Sequence, residues 1–168
     1  MNRRHLLFTT LFLAMLNFGH AAALEVGADA PAVAGISDEG EAVNLADVYA
    51  GHDYTLVYFY PKADTPGCTA QGCSLRDSYE ELTAKGVAVV GVSTDDVAAQ
   101  AAFKAKHMLP FTLIADTDHT VMNAFGVPSL RNVMASRQAY LVHNGKIVYA
   151  DHKGSTTQQA ADILGFLK

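Results

Sequence analysis

Two cysteines, Cys68 and Cys73, stand five residues apart in the segment Tyr60-Pro61-Lys62-Ala63-Asp64-Thr65-Pro66-Gly67-Cys68-Thr69-Ala70-Gln71-Gly72-Cys73. The segment follows an apolar β-branched and aromatic run, Tyr54 to Tyr60, and enters a helical pattern. Ligands in open α/β sheets bind at the carboxyl end of such a strand. Pro66 suits a first helical turn, which puts Thr65 near the N-cap and Cys68 in the opening turn. Backbone N–H groups there have no intrahelical partner and carry the positive end of the helix dipole. That setting favours a thiolate over a thiol, so Cys68 is placed to act as a nucleophile at neutral pH. A plain structural disulfide does not suit the spacing. Five helical residues advance about 7.5 Å and turn about 140°, whereas a disulfide needs Cα atoms roughly 4.4–6.8 Å apart. Any bond between the two cysteines therefore requires the helix to unwind, and Gly67 and Gly72 each weaken it by roughly 1 kcal/mol relative to Ala.

The elements that must position this segment alternate between strand and helix. Tyr54–Tyr60, Val87–Val92 and Phe111–Ala115 read as buried strands, because they are continuous apolar runs without alternation. Leu75, Tyr79 and Leu82 fall at i, i+4 and i+7, which extends the helix of Cys68 to a close at Gly86. Thr94-Asp95 opens a second helix that runs toward Pro110. This βαβαβ order predicts parallel strands. Asn144-Gly145 between Ala139–His143 and Lys146–Ala150 is a hairpin signal. Ser155 then caps a last helix through Leu167, with Ala160, Ile163, Leu164 and Leu167 inside. A parallel unit followed by a hairpin and a helix predicts an α/β protein with a thioredoxin-like fold, a central mixed β-sheet flanked by helices.

Composition limits the partners. The chain of 168 residues is 50% hydrophobic and 17% charged, which excludes a disordered chain and allows one domain with a sizeable core. The net charge of −5 gives no basic face for nucleic acid. Neither CxxC, GxGxxG nor a Walker sequence is present. Residues 1–23 read as a signal peptide: Arg3 and Arg4, the apolar run Leu6–Leu16, then Ala21 and Ala23 at the −3 and −1 positions of cleavage before Leu24. A run of eleven residues is shorter than the roughly 20 that span a bilayer. The expected product is residues 24–168, periplasmic or otherwise exported, not attached to a membrane once cleaved, with both cysteines in an oxidising space.

Pro61, Thr65 and Cys68 form P-x-x-x-T-x-x-C, which resembles the active-site motif of the peroxiredoxins. The longer YFYPKADTPGCTAQGCSLRD is similar to the bacterioferritin-comigratory, or Q-type, branch, in which a second cysteine follows five residues later as Cys73 does. Pro110–Val127 and Ser136–Tyr149 resemble the later blocks of that family, so the likeness covers nearly all of residues 25–168. Ala32 and Val33 replace an aromatic common in the family, and Ala139 is also small. The resemblance implies a thiol-dependent peroxidase acting on hydrogen peroxide and organic hydroperoxides. Cys68 would attack the peroxide and Cys73 would condense with the resulting sulfenic acid. Thr65 would hydrogen-bond thiolate and peroxide, Arg137 would support the thiolate and the leaving oxygen, and Pro61 would shield the sulfur from water. It implies no metal or organic cofactor, a thioredoxin-like dithiol as reductant, and a monomer.

Other residues carry weaker signals. Gln71 is expected to be solvated rather than catalytic. His52, His107, His119, His143 and His152 show no metal-ligand spacing. Val127, Leu130, Val133 and Met134 suit ordinary loop packing at least as well as a pocket rim. Two alternatives of other classes are an exported thioredoxin-fold copper-delivery protein and a disulfide-exchange enzyme. The first leaves the Pro–Thr–Cys pattern unexplained, and the second lacks its CxxC.

Overall fold

The computed structural model describes residues 22–168; the expected signal peptide lies almost wholly outside the described residues. The chain builds β1 (Ala34–Ser37), β2 (Ala42–Asn44), α1 (Leu45–Gly51), β3 (Tyr54–Phe59), α2 (Pro66–Asp77), α3 (Tyr79–Ala84), β4 (Val87–Ser93), α4 (Val97–His107), β5 (Thr112–Ala115), α5 (Thr120–Ala124), β6 (Ser129–Leu130), β7 (Met134–Ala135), β8 (Gln138–His143), β9 (Lys146–Asp151) and α6 (Gln159–Phe166). Seven strands form one sheet in the order β2-β1-β5-β4-β3-β8-β9. The centre, β5-β4-β3, is parallel, while β1 and β8 flank it antiparallel. The β8–β9 hairpin turns at Asn144 and Gly145, whose φ values of 49° and 71° are those of a type I′ turn.

Alternation along β3 assigns the two cores. Leu56 and Tyr58 face Cys68, Leu75, Leu82, Phe103, Leu109 and Ile163 on one side of the sheet, whereas Val57 and Phe59 face Leu45, Val121 and Phe125 on the other. All four are at most 1% exposed, as a strand buried on both faces should be. Helices α2, α3, α4 and α6 thus cover one face, and α1 and α5 the other. At the start of the described chain, Leu24 donates its N–H to the Phe125 carbonyl at 3.2 Å, and its own carbonyl lies 2.9 Å from His152 Nε2.

Three helix boundaries differ from expectation. The single helix through Leu82 is two, because Ser78 leaves helical geometry (φ −103°, ψ 9°) between α2 and α3. The apolar spacing alone would continue the helix across this point. Asp96, not Thr94-Asp95, caps α4, through a 2.8 Å bond from the Ala99 N–H, and the helix stops at Met108 in the left-handed region before reaching Pro110. Ser155 accepts the N–H groups of Thr157 and Gln158, forming a turn that precedes α6 rather than capping the helix itself.

Strand β4 requires glycine at position 91. A Cβ on Gly91 of β4 would lie 2.7 Å from Leu113 Cδ2 and 2.8 Å from the Tyr58 ring. Gly91→Ala is expected to cost about 1–3 kcal/mol, the range for overpacking a closed core, read as a lowered urea midpoint with an unchanged slope; an unchanged midpoint would show that this layer has room to give.

Candidate active site

The loop between β3 and α2 is tied down by carboxylates. Ala63 donates its N–H to Asp95 Oδ2 at 2.7 Å, and the same oxygen accepts from Ser93 Oγ at 2.7 Å. Asp64 adopts a left-handed φ of 57° and reaches α4, with Lys106 Nζ at 2.6 Å and His107 Nε2 at 2.8 Å. Those partners, His107 first, hold the Asp64 carboxyl below the usual carboxylate range. Thr65 occupies the N-cap in an extended conformation and Pro66 is the first helical residue, so Cys68 stands third in α2, in the opening turn. The Thr65 carbonyl accepts the first helical bond from Thr69 at 2.8 Å. Its hydroxyl does not cap the helix and does not point its proton at the sulfur; it donates to the Lys62 carbonyl at 3.0 Å.

Cys68 is 2% exposed and packs in the core beneath α2. Arg137, which enters from the residue before β8, donates Nη2–H to Cys68 Sγ at 3.3 Å. Two glycines make room for that guanidinium. A Cβ on Gly67 would come within 3.3 Å of Arg137 Nη2, and one on Gly154 would lie 2.4 Å from Arg137 Cγ. Pro61 is half-buried at the start of the loop. Cys73 is on the same unbroken helix, partly exposed, and both cysteines are free thiols. Burial pushes the Tyr58 and Tyr60 phenols up, so both stay neutral beside the sulfur.

Gln71 departs from the expectation of a solvated residue. It is fully buried, its Oε1 accepts from Arg137 Nη1, and its Nε2 donates to Gln159 Oε1 at 2.5 Å. The signal was present: it stands three positions on from Cys68 in the helix, so the two share a face. What the sequence did not show is that α6 closes over that face and removes it from water. Gln159, the first residue of α6, is 1% exposed and carried no sequence signal at all. Among the described residues no group of three His, Cys, Asp or Glu side chains is arranged to hold a metal.

The arrangement is a buried cysteine at a helix N-terminus, with a guanidinium on its sulfur and a second thiol five residues on. Residues 26–150 match the AhpC/TSA family. Peroxiredoxin Bcp of Escherichia coli strain K12 is 40% identical over 152 residues, which is 86% of this chain and 96% of that protein. Peroxiredoxin Q, chloroplastic, of Oryza sativa subsp. japonica is 42% identical over 125 residues, 73% of this chain and 57% of the rice protein. Among solved structures, the Xanthomonas campestris bacterioferritin comigratory protein, described in connection with its alkyl peroxide reduction activity, superimposes with a TM-score of 0.76 at 30% identity over 88% of this chain and 97% of that one. With its thioredoxin-like sheet and its cysteine in the opening turn of α2, the chain belongs to the AhpC/TSA family, as a thiol peroxidase of the Bcp/peroxiredoxin Q kind.

Proposed function

We propose that the enzyme reduces hydrogen peroxide and organic hydroperoxides with Cys68 as the attacking sulfur and Cys73 as the resolving thiol. The observation that carries this reading is the 3.3 Å contact from Arg137 Nη2 to Cys68 Sγ at the N-terminus of α2. A cation and a helix N-terminus together favour negative charge on that sulfur. The thiolate attacks one peroxide oxygen and the O–O bond breaks. That oxygen stays on sulfur as sulfenic acid, and the other leaves with a proton as water or an alcohol. Arg137 and the N–H groups of Gly67 and Cys68 face the charge that shifts onto the departing oxygen. Thr65 has committed its proton to Lys62, so its Oγ1 serves as an acceptor for the peroxide O–H, which aligns the peroxide for in-line displacement. Pro61 closes the loop side of the sulfur. The Cys73 thiol then attacks the sulfenic sulfur, water leaves, and a thioredoxin-like dithiol reduces the disulfide by exchange. The protein acts as a monomer.

A copper-delivery or disulfide-exchange role leaves the Arg137–Cys68 contact and the Pro61–Thr65–Cys68 spacing without a purpose. Cys68→Ser is expected to abolish peroxide consumption. Cys73→Ser should keep the first turnover, accumulate a sulfenic acid trappable with dimedone, and stop without an added small thiol. A first turnover in Cys68→Ser equal to that of the wild type would overturn the assignment.

The resolving step requires α2 to unwind, since about 7.5 Å of helical rise separates the cysteines. A Cβ on Gly72 would meet Leu109 at 3.4 Å and Phe103 at 3.6 Å, contacts that alanine can make. Gly72→Ala therefore stabilises the wound helix by about 1 kcal/mol, and disulfide formation after a single peroxide pulse should slow about 5-fold. Oxidation of the wild type should raise amide exchange across residues 66–76 and leave β3 and β4 protected. Equal protection in reduced and oxidised protein would exclude a bond between Cys68 and Cys73.

We further propose that the protein is exported. Its family match begins at residue 26, beyond the expected leader, and E. coli Bcp is matched over 96% of its length by 86% of this chain. Edman sequencing of the protein purified from its native host is expected to begin at Leu24; a start at Met1 would contradict cleavage.

A further inference from the structure

The amide of Gln71 has one possible orientation. A guanidinium only donates, so Gln71 must turn Oε1 toward Arg137 and Nε2 away from it. Gln159 must then present Oε1 to Gln71 Nε2, at 2.5 Å. This leaves Gln159 Nε2 as a buried donor without a partner among the described residues. A single polarised row thus runs from Cys68 Sγ through Arg137 and Gln71 to Gln159, joining α2, the start of β8 and α6.

Gln71 also sits between the two cysteines. It cannot keep these bonds while residues 68–73 leave helical spacing. We infer that Gln71, backed by Gln159, is a positioning residue that acts in opposite senses on the two halves of the reaction: it fixes Arg137 on Cys68 for attack, and it holds α2 wound against disulfide formation. This rests on the peroxidase reading above. The latch thereby sets how the sulfenic acid is divided. Either Cys73 captures it, releasing water, or a second peroxide oxidises it to sulfinic acid and is itself reduced to water or an alcohol.

Two substitutions at one position should move resolution in opposite directions. In Gln71→Met the bonds to Arg137 and Gln159 are gone. First-step attack should slow about 3–10-fold and disulfide formation should accelerate about 3–10-fold, the worth of a hydrogen bond or two. In Gln71→Glu a carboxylate accepts from Arg137, and the Gln159 amide can turn to donate its orphan Nε2–H. Charge-assisted bonds are the stronger, so disulfide formation should slow about 10-fold, and the peroxide concentration that half-converts Cys68 to sulfinic acid should fall in proportion. Gln159→Met, at a residue that hydrogen-bonds neither Cys68 nor Arg137, should follow Gln71→Met more weakly and serves if that variant does not fold.

The experiment is a single-turnover peroxide pulse with stopped-flow detection of both steps and mass spectrometry of the sulfinic product. Opposite shifts in resolution for Gln71→Met and Gln71→Glu support the latch. Shifts in the same direction, or wild-type resolution in all three variants, overturn it. A wild-type protein that consumes no peroxide would instead overturn the peroxidase reading.

Discussion

A guanidinium resting on a buried sulfur is the contact that the surrounding structure serves. Arg137 reaches Cys68 through space that Gly154, where a Cβ would lie 2.4 Å from its stem, leaves open, and Gly67 gives its guanidinium close but unobstructed passage. It stays there because Gln71 takes a second N–H of the same group. A long, rotamer-rich side chain loses its freedom in that geometry, and two hydrogen bonds and close packing offset the loss. The sheet supplies the rest. Strand β3 delivers the loop, β8 runs beside it in antiparallel register, and so Arg137, one residue before β8, arrives opposite the first turn of α2.

How much of this the sequence displayed depends on whether a feature is local. The strand, the N-cap position of Thr65, the Pro66 start and the placement of Cys68 in the opening turn are all set within about ten residues, and they read directly. The hairpin at Asn144-Gly145 is equally local, since its left-handed pair demands those residue types. Arg137 lies 69 residues from Cys68, and no periodicity connects them; only the likeness to a family placed it. The buried row of Gln71 and Gln159 spans 88 residues and uses neutral amides, which look like surface residues until a helix covers them. The break at Ser78 was hidden for the converse reason. An apolar stripe through Leu75, Tyr79 and Leu82 persists across the break, because α2 and α3 pack on the same core even though the backbone between them is not helical.

The site is asymmetric in what holds it. The loop before Cys68 is fixed by Asp95 and Asp64, with charge on at least one partner in every bond. The helix after Cys68 is held to neighbouring elements without any carboxylate: by Arg137 on Gln71, by the neutral Gln71–Gln159 bond, by Ser74 Oγ donating to the Thr157 carbonyl at 3.2 Å, and by Arg76 Nη1 donating to the His107 carbonyl at 2.8 Å. Asp64 is exposed and its pairs are screened by solvent, so their number and geometry matter more than their individual strength. Gly67 and Gly72 lower the helix further.

That asymmetry suits the reaction proposed above, whose two steps want different structures. Attack needs the loop, the helix N-terminus and Arg137 held together around the sulfur. Resolution needs only α2 to let go. Because α4 carries Lys106 and His107 against the loop and offers only one carbonyl to Arg76 of α2, unwinding α2 leaves the loop anchored. The sheet core below, built on Leu56 and Tyr58, need not open. Local release of one helix is a low-energy event compared with global unfolding, and on reduction of the proposed disulfide the loop would still be in place to receive the helix again.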